Sequence, residues 1–187
     1  MAATSTNIVN LALRSLGVAR ITSLSDSSEQ ARVMNDLYEH IRDEMIEIHP
    51  WNFAIVYSDS LAENDDAPEF DYDYSYALPS DCLRVIELED AEDEFKVVGD
   101  NLYTDTESPK IRYISLVTTT GNYSKSFVTA FAARLAAEAC YALTKSQTLA
   151  DRKWKEYEEK LAQAKSSDSQ EGTVTKIENC SWIDDRA

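Results

Sequence analysis

The 187-residue sequence has few of the residues that build phosphate, zinc and disulfide sites. No two of its four glycines lie closer than about 22 residues, which excludes the Gly-rich loops of Walker and dinucleotide-binding fingerprints. Its three cysteines, Cys82, Cys140 and Cys180, are odd in number and form no CxxC pair. We interpret them as reduced thiols of a cytosolic product rather than as disulfide partners or zinc ligands.

The two histidines form no recognisable metal motif. Neither belongs to HExxH, and Leu37 and Ile46 stand where a Glu-x-x-His di-iron motif needs glutamate. His40 and Glu44 could share a helix face, but no further His or Cys supports ligation there, so a surface hydrogen bond or ion pair is the favoured interpretation. The sequence therefore predicts neither a metal nor a cofactor.

Basic residues are scarce as well. There are 18 Lys and Arg against 34 Asp and Glu, a formal net charge of −16. Binding nucleic acid through its phosphates needs clustered cations, so this composition argues against that class of protein. The length fits one domain with room for an insertion, and 43% hydrophobic residues permit a real core. No run approaches the ~20 apolar residues of a membrane span, and no signal peptide is recognised, so we expect a soluble, unexported protein.

The first 50 residues predict two amphipathic helices. Apolar side chains recur at helical spacing over residues 7–16, behind a Ser or Thr cap, and Gly17 supplies a left-handed end. The second helix is predicted to begin at Asp26, with Glu29 completing a capping box, and to end near His49, just before a proline.

Helical spacing returns near the other end of the chain. Ser124 is the predicted cap of a helix over residues 126–143, whose alanines allow close helix packing. A last helix over 147–165 presents one apolar seam to a neighbouring helix. Residues 167–187 are polar with isolated apolar side chains, which predicts an extended tail without a core of its own.

The middle of the chain has the composition of β structure. Short runs rich in β-forming residues cover 53–57, 83–88, 95–98, 102–104 and 110–116. Gly99, Asp100 and Asn101 separate two of these runs, which predicts a hairpin. We expect one small, mostly antiparallel sheet.

These elements together predict an α+β fold. We expect a four-helix bundle formed by residues 1–50 and 122–166, with residues 51–121 inserted between them as a β lobe and 167–187 as an extended C-terminal tail.

Acidic residues are concentrated in the predicted β lobe, in two groups within residues 59–76 and 87–94 that contain no Lys or Arg. Neither group has the alternating acids, central glycine and closing glutamate of a calcium loop. A solvated or field-shaping surface is the favoured interpretation; a weak cation site and a paired-carboxylate catalytic site are the alternatives. The candidate channel or surface acids are Asp65, Asp66, Asp71, Asp73, Glu92, Asp93 and Glu94.

Two sets of aromatic residues are candidates for subunit contacts. Tyr72, Tyr74 and Tyr76 alternate with other residues and would share one face of an extended segment, as an edge strand, a subunit interface or both. Trp51 and Phe53 follow the second predicted helix, where core packing is the favoured interpretation and an intersubunit contact is the alternative.

Six segments in a fixed order carry a family resemblance. They are IVNLALRSLGVARITSLSD, EQARVMNDLYEHIRDEMIEIHPWNFA, YALPSDCLRVIELED, LYTD, RYISLV and FVTAFAARLAAEACYALTKS. As an ordered set they resemble the tail tubular protein A family, the head-to-tail adaptors of short-tailed bacteriophages. The resemblance covers about residues 7–172, and its most specific segments are HPWNFA from His49 and LPSDCLRV from Leu78.

The resemblance implies a structural role and no enzymatic activity. Such adaptors are helical bundles carrying a β lobe, and they form a ring, usually dodecameric, at the head-to-tail junction of the virion. The portal protein lies above the ring, the tail nozzle protein docks below it, and DNA is ejected through its channel without specific binding. The resemblance implies assembly in the host bacterial cytoplasm, no membrane partner, and no catalytic or cofactor-binding residue.

Several hypotheses follow from this setting. The acids would line the channel and keep DNA from adhering. Ile177, Trp182 and Ile183 in the tail would bind the portal or an adjacent subunit, unless the tail lies on its own domain. The alternative function is a tail-associated polysaccharide hydrolase that uses carboxylates of the acidic segments, and a third is a soluble regulator that binds basic proteins.

Overall fold

A computed structural model describes residues 4–64, 71–90 and 92–171. It contains four α-helices and seven strands, and every strand pair is antiparallel, which confirms an α+β fold. The elements in chain order are α1 (Ser5–Leu16), α2 (Glu29–Glu47), β1 (Ile55–Ser58), β2 (Ala62–Glu63), β3 (Tyr74–Ala77), β4 (Cys82–Leu88), β5 (Phe95–Val98), β6 (Asn101–Thr104), β7 (Ile111–Ser115), a 3₁₀ turn (Thr120–Asn122), α3 (Lys125–Thr144) and α4 (Gln147–Ser169). We call residues 55–115 the strand region and the remaining described residues the helical region.

The predicted end of α1 at Gly17 and the predicted cap of α3 at Ser124 are confirmed, whereas α1 begins at Ser5, two residues earlier than predicted. The side chain of Thr4 accepts a hydrogen bond from the N–H of Asn7, and that of Ser124 accepts one from Phe127. Gly17 ends α1 with φ +73°, a left-handed conformation that glycine adopts without steric cost.

The predicted start of α2 is wrong. Ser28 is the cap, and its side chain accepts from the N–H of Ala31. Asp26 instead accepts hydrogen bonds from the backbone N–H groups of Thr22 and Ser23, at 2.8 and 3.1 Å. These bonds hold the turn that precedes the helix, and they lower the pKa of the Asp26 carboxyl.

Helix α3 is the centre of the helical region, since it packs against α1, α2 and α4. Its small buried side chains, among them Ala130, Ala133, Ala136 and Ala137, let these neighbours approach closely. Among the described residues, α3 alone is long and apolar enough to cross a membrane by length and composition, and 56% of that stretch is buried inside the protein. A buried core helix passes the same test, so this finding qualifies the expectation that no such stretch exists.

The strands form two sheets where the sequence predicted one. The first has the order β1-β7-β4 and the second the order β2-β3-β6-β5. The hairpin predicted around Gly99 is confirmed: Val98 pairs with Asn101 across a two-residue turn, and Gly99 has φ +59°. Strand β3 was expected at an edge, but it lies between β2 and β6 because both of its sides are paired.

Two β-bulges in β4 divide its side chains between two cores. The bulges fall between Cys82 and Arg84 and between Val85 and Glu87. A regular strand alternates strictly, whereas here Cys82, Val85 and Leu88 share one core, and Leu83 and Ile86 pack against the other.

The three-stranded sheet has apolar contacts on both faces. On β7, Ile114 belongs to the helical core, whereas Ile111 and Tyr113 belong to a second core shared with Tyr76 and Leu102 of the other sheet. The four-stranded sheet is therefore separated from the helical core by the three-stranded one.

Helix α4 is longer than predicted. It ends at Ser169 rather than near residue 165, so the first residues of the expected tail form its last turn. The buried side chain of Asp168, 4% exposed, lies in this turn.

Candidate interaction surfaces

The two acidic groups converge at one end of the four-stranded sheet. Tyr74 at the start of β3 pairs with Thr104 at the end of β6, and Thr104 pairs with Phe95 at the start of β5. The acids before β3, before β5 and after β6 therefore meet at the same end of the sheet. We call this group the acidic end; its described members are Asp71, Asp73, Glu92, Asp93, Glu94, Asp105 and Glu107.

Hydrogen bonds among these loops show that they are in contact. The backbone N–H of Asp73 donates to Asp105 Oδ1 at 2.9 Å. The hydroxyl of Thr106 donates to Asp93 Oδ2 at 2.7 Å, and that of Thr104 donates to the carbonyl of Glu94 at 2.9 Å. Asp105 and Glu107 were not predicted as members, because only strand register places them beside the other acids.

The acids of the acidic end are mostly on the surface. Asp71, Asp73, Glu92 and Glu94 are exposed, and Asp93 is half-buried. The nearby Glu107 charge is the main cause that raises the pKa of Tyr74, which shows the field this group produces. Asp65 and Asp66, the other two predicted acids, lie outside the described residues.

A depression of about 490 Å³ adjoins the acidic end, and Glu89, Asp90, Asp93, Glu107 and Lys110 contribute to its lining. Lys110 donates to Glu89 at 3.0 Å across it. Among the residues that the structure describes, no group of three or more His, Cys, Asp or Glu side chains is arranged to hold a metal ion.

Net charge differs sharply between the two regions of the chain. Residues 55–115 contain 17 acidic and four basic residues, a formal charge of −13. The other 126 residues contain 17 acidic and 14 basic residues, a formal charge of −3. Most of the net charge of the protein therefore belongs to the strand region.

The predicted tyrosine stripe faces the second core. Tyr76 is 2% exposed, Tyr74 packs beside it with ring centroids 6.3 Å apart, and Tyr72 is half-buried. The Tyr76 hydroxyl donates to the carbonyl of Thr106 and accepts from the N–H of Ser108, so it fixes the loop after β6. A subunit contact therefore has exposed surface only at Tyr72 and Tyr74, and for these two it stays a prediction.

Trp51 and Phe53 lie in an aromatic cluster where the helical region meets the strands. Trp51 is fully buried, and its Nε1–H donates to the carbonyl of Met45 at 2.7 Å. Both rings contact Phe127 of α3, at centroid distances of 5.0 and 4.9 Å. Trp51 leaves no surface for a second subunit in this conformation, and only the partly exposed Phe53 keeps the interface alternative open.

The carboxylate of Asp168 anchors the end of α4 to the segment after α2. It accepts hydrogen bonds from the backbone N–H of Asn52, at 3.2 and 3.3 Å, and lies 3.3 Å from Nε2 of His49. The Asn52 side chain donates to the Asp168 carbonyl at 2.7 Å. Burial lowers the pKa of His49, although the Asp168 charge opposes that shift. No local pattern in the sequence indicates this anchor, because 116 residues separate Asp168 from Asn52.

The two most specific segments of the resemblance thus form junctions between elements. HPWNFA supplies His49, Trp51 and Asn52 to the contacts just described. In LPSDCLRV, Asp81 accepts from the hydroxyl of Ser115 at 2.7 Å, which ties the start of β4 to the end of β7.

The cysteines are not arranged as reactive sites within the described part of the chain. Cys140 is fully buried in α3. Burial, reinforced by the Asp81 charge, raises the pKa of the Cys82 thiol to about 11, which disfavours the nucleophilic thiolate. Cys180 and the predicted tail anchors Ile177, Trp182 and Ile183 lie outside the described residues.

No family model matches the chain, and no curated protein matches it.

Proposed function

We propose that this chain is a structural virion protein, a head-to-tail adaptor without enzymatic activity. Its copies form a ring, a dodecamer, between the portal protein and the tail nozzle protein, and DNA leaves through the channel. The protein is assembled in the host bacterial cytoplasm and works at the head-to-tail junction. The ordered resemblance over residues 7–172 is the source of this proposal.

The observation that carries the proposal furthest is the separation of charge within one chain. The strand region has a formal charge of −13 and its acids meet at one end of a sheet, whereas the rest of the chain is nearly balanced. In a ring, the acidic ends of all copies would repeat around the axis. DNA phosphates within a Debye length of ~8 Å would be repelled, which favours passage of the duplex over adhesion.

The architecture proposed for this role is a four-helix bundle from residues 1–50 and 122–166 with the β lobe of residues 51–121 inserted in it. Packing of α3 against α1, α2 and α4 supports it. So does the apolar contact of Ile114 with the helical core, which joins the sheet to the helices.

The contacts of the resemblance segments also favour a structural role. His49, Asn52 and Asp81 all make hydrogen bonds that join distant elements. Residues that hold junctions preserve the shape of a subunit, which is what an assembly component requires. Residues 173–187 would bind the portal or the adjacent subunit through Ile177, Trp182 and Ile183, and no membrane or cofactor takes part.

The test is the mass of the full-length protein, alone and mixed with portal, measured by native mass spectrometry and projection imaging. We expect a closed ring in at least the mixture. A single chain under both conditions would contradict the proposal.

Deleting residues 173–187 should prevent attachment to portal while the circular dichroism spectrum and melting temperature stay unchanged; normal attachment would exclude the role proposed for the tail.

A further inference from the structure

The β5–β6 hairpin ends in an exposed apolar tip that the acidic end does not explain. Val97 and Val98 are 42% and 52% exposed on β5, which is an edge strand of the four-stranded sheet. The turn beyond them contains Asp100, whose carboxylate makes no hydrogen bond or ion pair with any described residue. This tip lies at the opposite end of β5 from the acidic end, because β5 begins at Phe95 and runs toward the turn.

A groove with complementary properties lies in the helical region, where α1, α3 and α4 meet. It encloses about 330 Å³ and is lined by the buried Ala132 and Ala133 and by Leu11, which is 39% exposed. Arg14 and Lys160 are its charged residues, and no acid lines it. Arg14 is exposed and forms no ion pair with a described residue, whereas Lys160 pairs with Glu156.

We propose that the hairpin tip of one copy docks in this groove of a second copy. Val98, whose side chain lies on the sheet face opposite to that of Val97, would cover the apolar lining, and Asp100 would pair with Arg14. Charge complementarity selects the occupant: the groove is a cationic site on a chain of net charge −16, and the hairpin tip brings one unpaired carboxylate beside two exposed valines. This inference rests on the proposed function and names the surfaces by which its ring would form.

The geometry of such a contact suits a ring. The hairpin tip and the groove are different surfaces, so each copy would offer one and receive the other. A contact of this kind is heterologous, and its repetition closes into a ring when the rotation between copies allows it. It would also leave the acidic end free, because that end lies at the far side of the sheet from the docked turn.

The contact resolves an electrostatic difficulty. Copies of net charge −16 repel one another, and the repulsion is strongest where the acids are densest. Joining the copies through the hairpin tip and a groove without acids keeps the acidic ends away from the interface. The competing occupant is the β5 edge of another copy, since two edge strands can pair in a symmetric dimer.

The experiment uses two variants of the full-length protein, each of which disrupts one of the two proposed surfaces. In the first variant, Val98→Asp places a charge on the hairpin tip. In the second, Arg14→Glu and Thr129→Glu together reverse the charge of the groove. All three side chains are exposed. We first find the condition, with or without portal, in which wild type assembles. Under that condition, sedimentation should show each variant largely as single chains. Their mixture should form a one-to-one dimer, because each retains one intact surface. Tyr57→Asp, at an exposed aromatic elsewhere, is the matched control and should assemble as wild type.

A charge exchange tests the Asp100–Arg14 pair directly. Asp100→Arg should raise the dissociation constant by about tenfold or more, and adding Arg14→Glu should restore it to within about threefold. If wild type and both surface variants all form rings, the proposed interface is wrong, whereas the adaptor proposal stands. A dimer lost in Val98→Asp but unaffected by Arg14→Glu would show edge pairing and overturn it too. Wild type remaining a single chain, alone and with portal, would contradict both proposals.

Discussion

The helical region buries most of the large side chains of this protein, whereas the strand region carries most of its net charge. The helical core combines residues of all four helices with the aromatic residues around Phe127. Among the described residues, the second core, between the sheets, has five that are buried: Tyr76, Leu88, Leu102, Ile111 and Tyr113. The difference suggests that the helices supply the stability of the chain and the strands supply a charged surface.

The largest effect is expected in the helical core. Phe127 is fully buried and its ring contacts Trp51, Phe53, Tyr123 and Phe131. Phe127→Ala should lower the free energy of unfolding by about 3–5 kcal/mol, because it removes apolar contacts and leaves a cavity. Urea denaturation followed by circular dichroism measures this.

The matched control for that substitution is Tyr57→Ala, in the strand region, whose side chain is 71% exposed. It should change the free energy of unfolding by no more than about 0.5 kcal/mol. Equal effects of the two substitutions would contradict the burial of Phe127 and the exposure of Tyr57.

The next effect concerns the anchor that joins α4 to the segment after α2. Asp168→Ala removes the acceptor of the Asn52 N–H and should cost about 1–3 kcal/mol of unfolding free energy. Ser167→Ala, at the neighbouring exposed position, is the control and should be nearly neutral. Chemical denaturation of both variants makes the comparison, and a neutral Asp168→Ala would mean that the anchor does not stabilise the fold.

A smaller effect depends on pH and tests the ion pairs of the helical region. Hydrogen bonds from Lys153 and Lys160 lower the pKa of Glu156 to about 2, from an ordinary value of 4.5. The charged Glu156 therefore stabilises the folded state fully at pH values above the pKa that the group has in the unfolded chain. This stabilisation is lost as the pH falls from about 4.5 to 2. Glu156→Gln should cost up to ~1 kcal/mol at pH 7, since the group is partly exposed.

The free energy of unfolding of Glu156→Gln should approach that of wild type as the pH falls toward 2. Denaturation curves taken across this pH range measure the difference. Glu158→Gln, on the same helix and without an ion pair to a described residue, is the control and should show no such trend. A deficit that stays constant down to pH 2 would rule out the charge of Glu156 as its cause.

The smallest effect on stability is expected at the acidic end. Replacing Asp71, Asp73, Glu92 and Glu94 by Lys should change the free energy of unfolding by only about 0.5 kcal/mol at each position, because all four are exposed.

The same variant should bind duplex DNA at low salt and release it as salt rises, whereas wild type should not bind. Filter binding across a salt series measures this, and DNA binding by wild type would contradict a repelling surface.

The sequence predicted features that depend on neighbouring residues. The left-handed end at Gly17, the cap at Ser124 and the hairpin turn at Gly99 follow from a few adjacent side chains, and all three are confirmed. The cap of α2 was misplaced because Asp26 and Ser28 are both good capping residues, and only the turn at Thr22 shows which one is used.

Features that depend on distant residues were missed. The bulges at Leu83 and Ile86 direct side chains of one strand into two cores, which no local pattern encodes. The anchor at Asp168 needs a partner far away in the chain, and the place of Asp105 in the acidic end needs the register of β3 and β6. Acidic residues were predicted from composition, but their convergence is a property of the fold.

In the proposed ring, the strand region supplies an acidic channel wall. Electron cryomicroscopy of the assembly that the full-length chain forms with portal would test it most directly. We expect the acidic ends, marked by Asp73, Asp93 and Asp105, to face the channel around the whole ring. Acidic ends on the outer surface, with the helical region lining the channel, would contradict it.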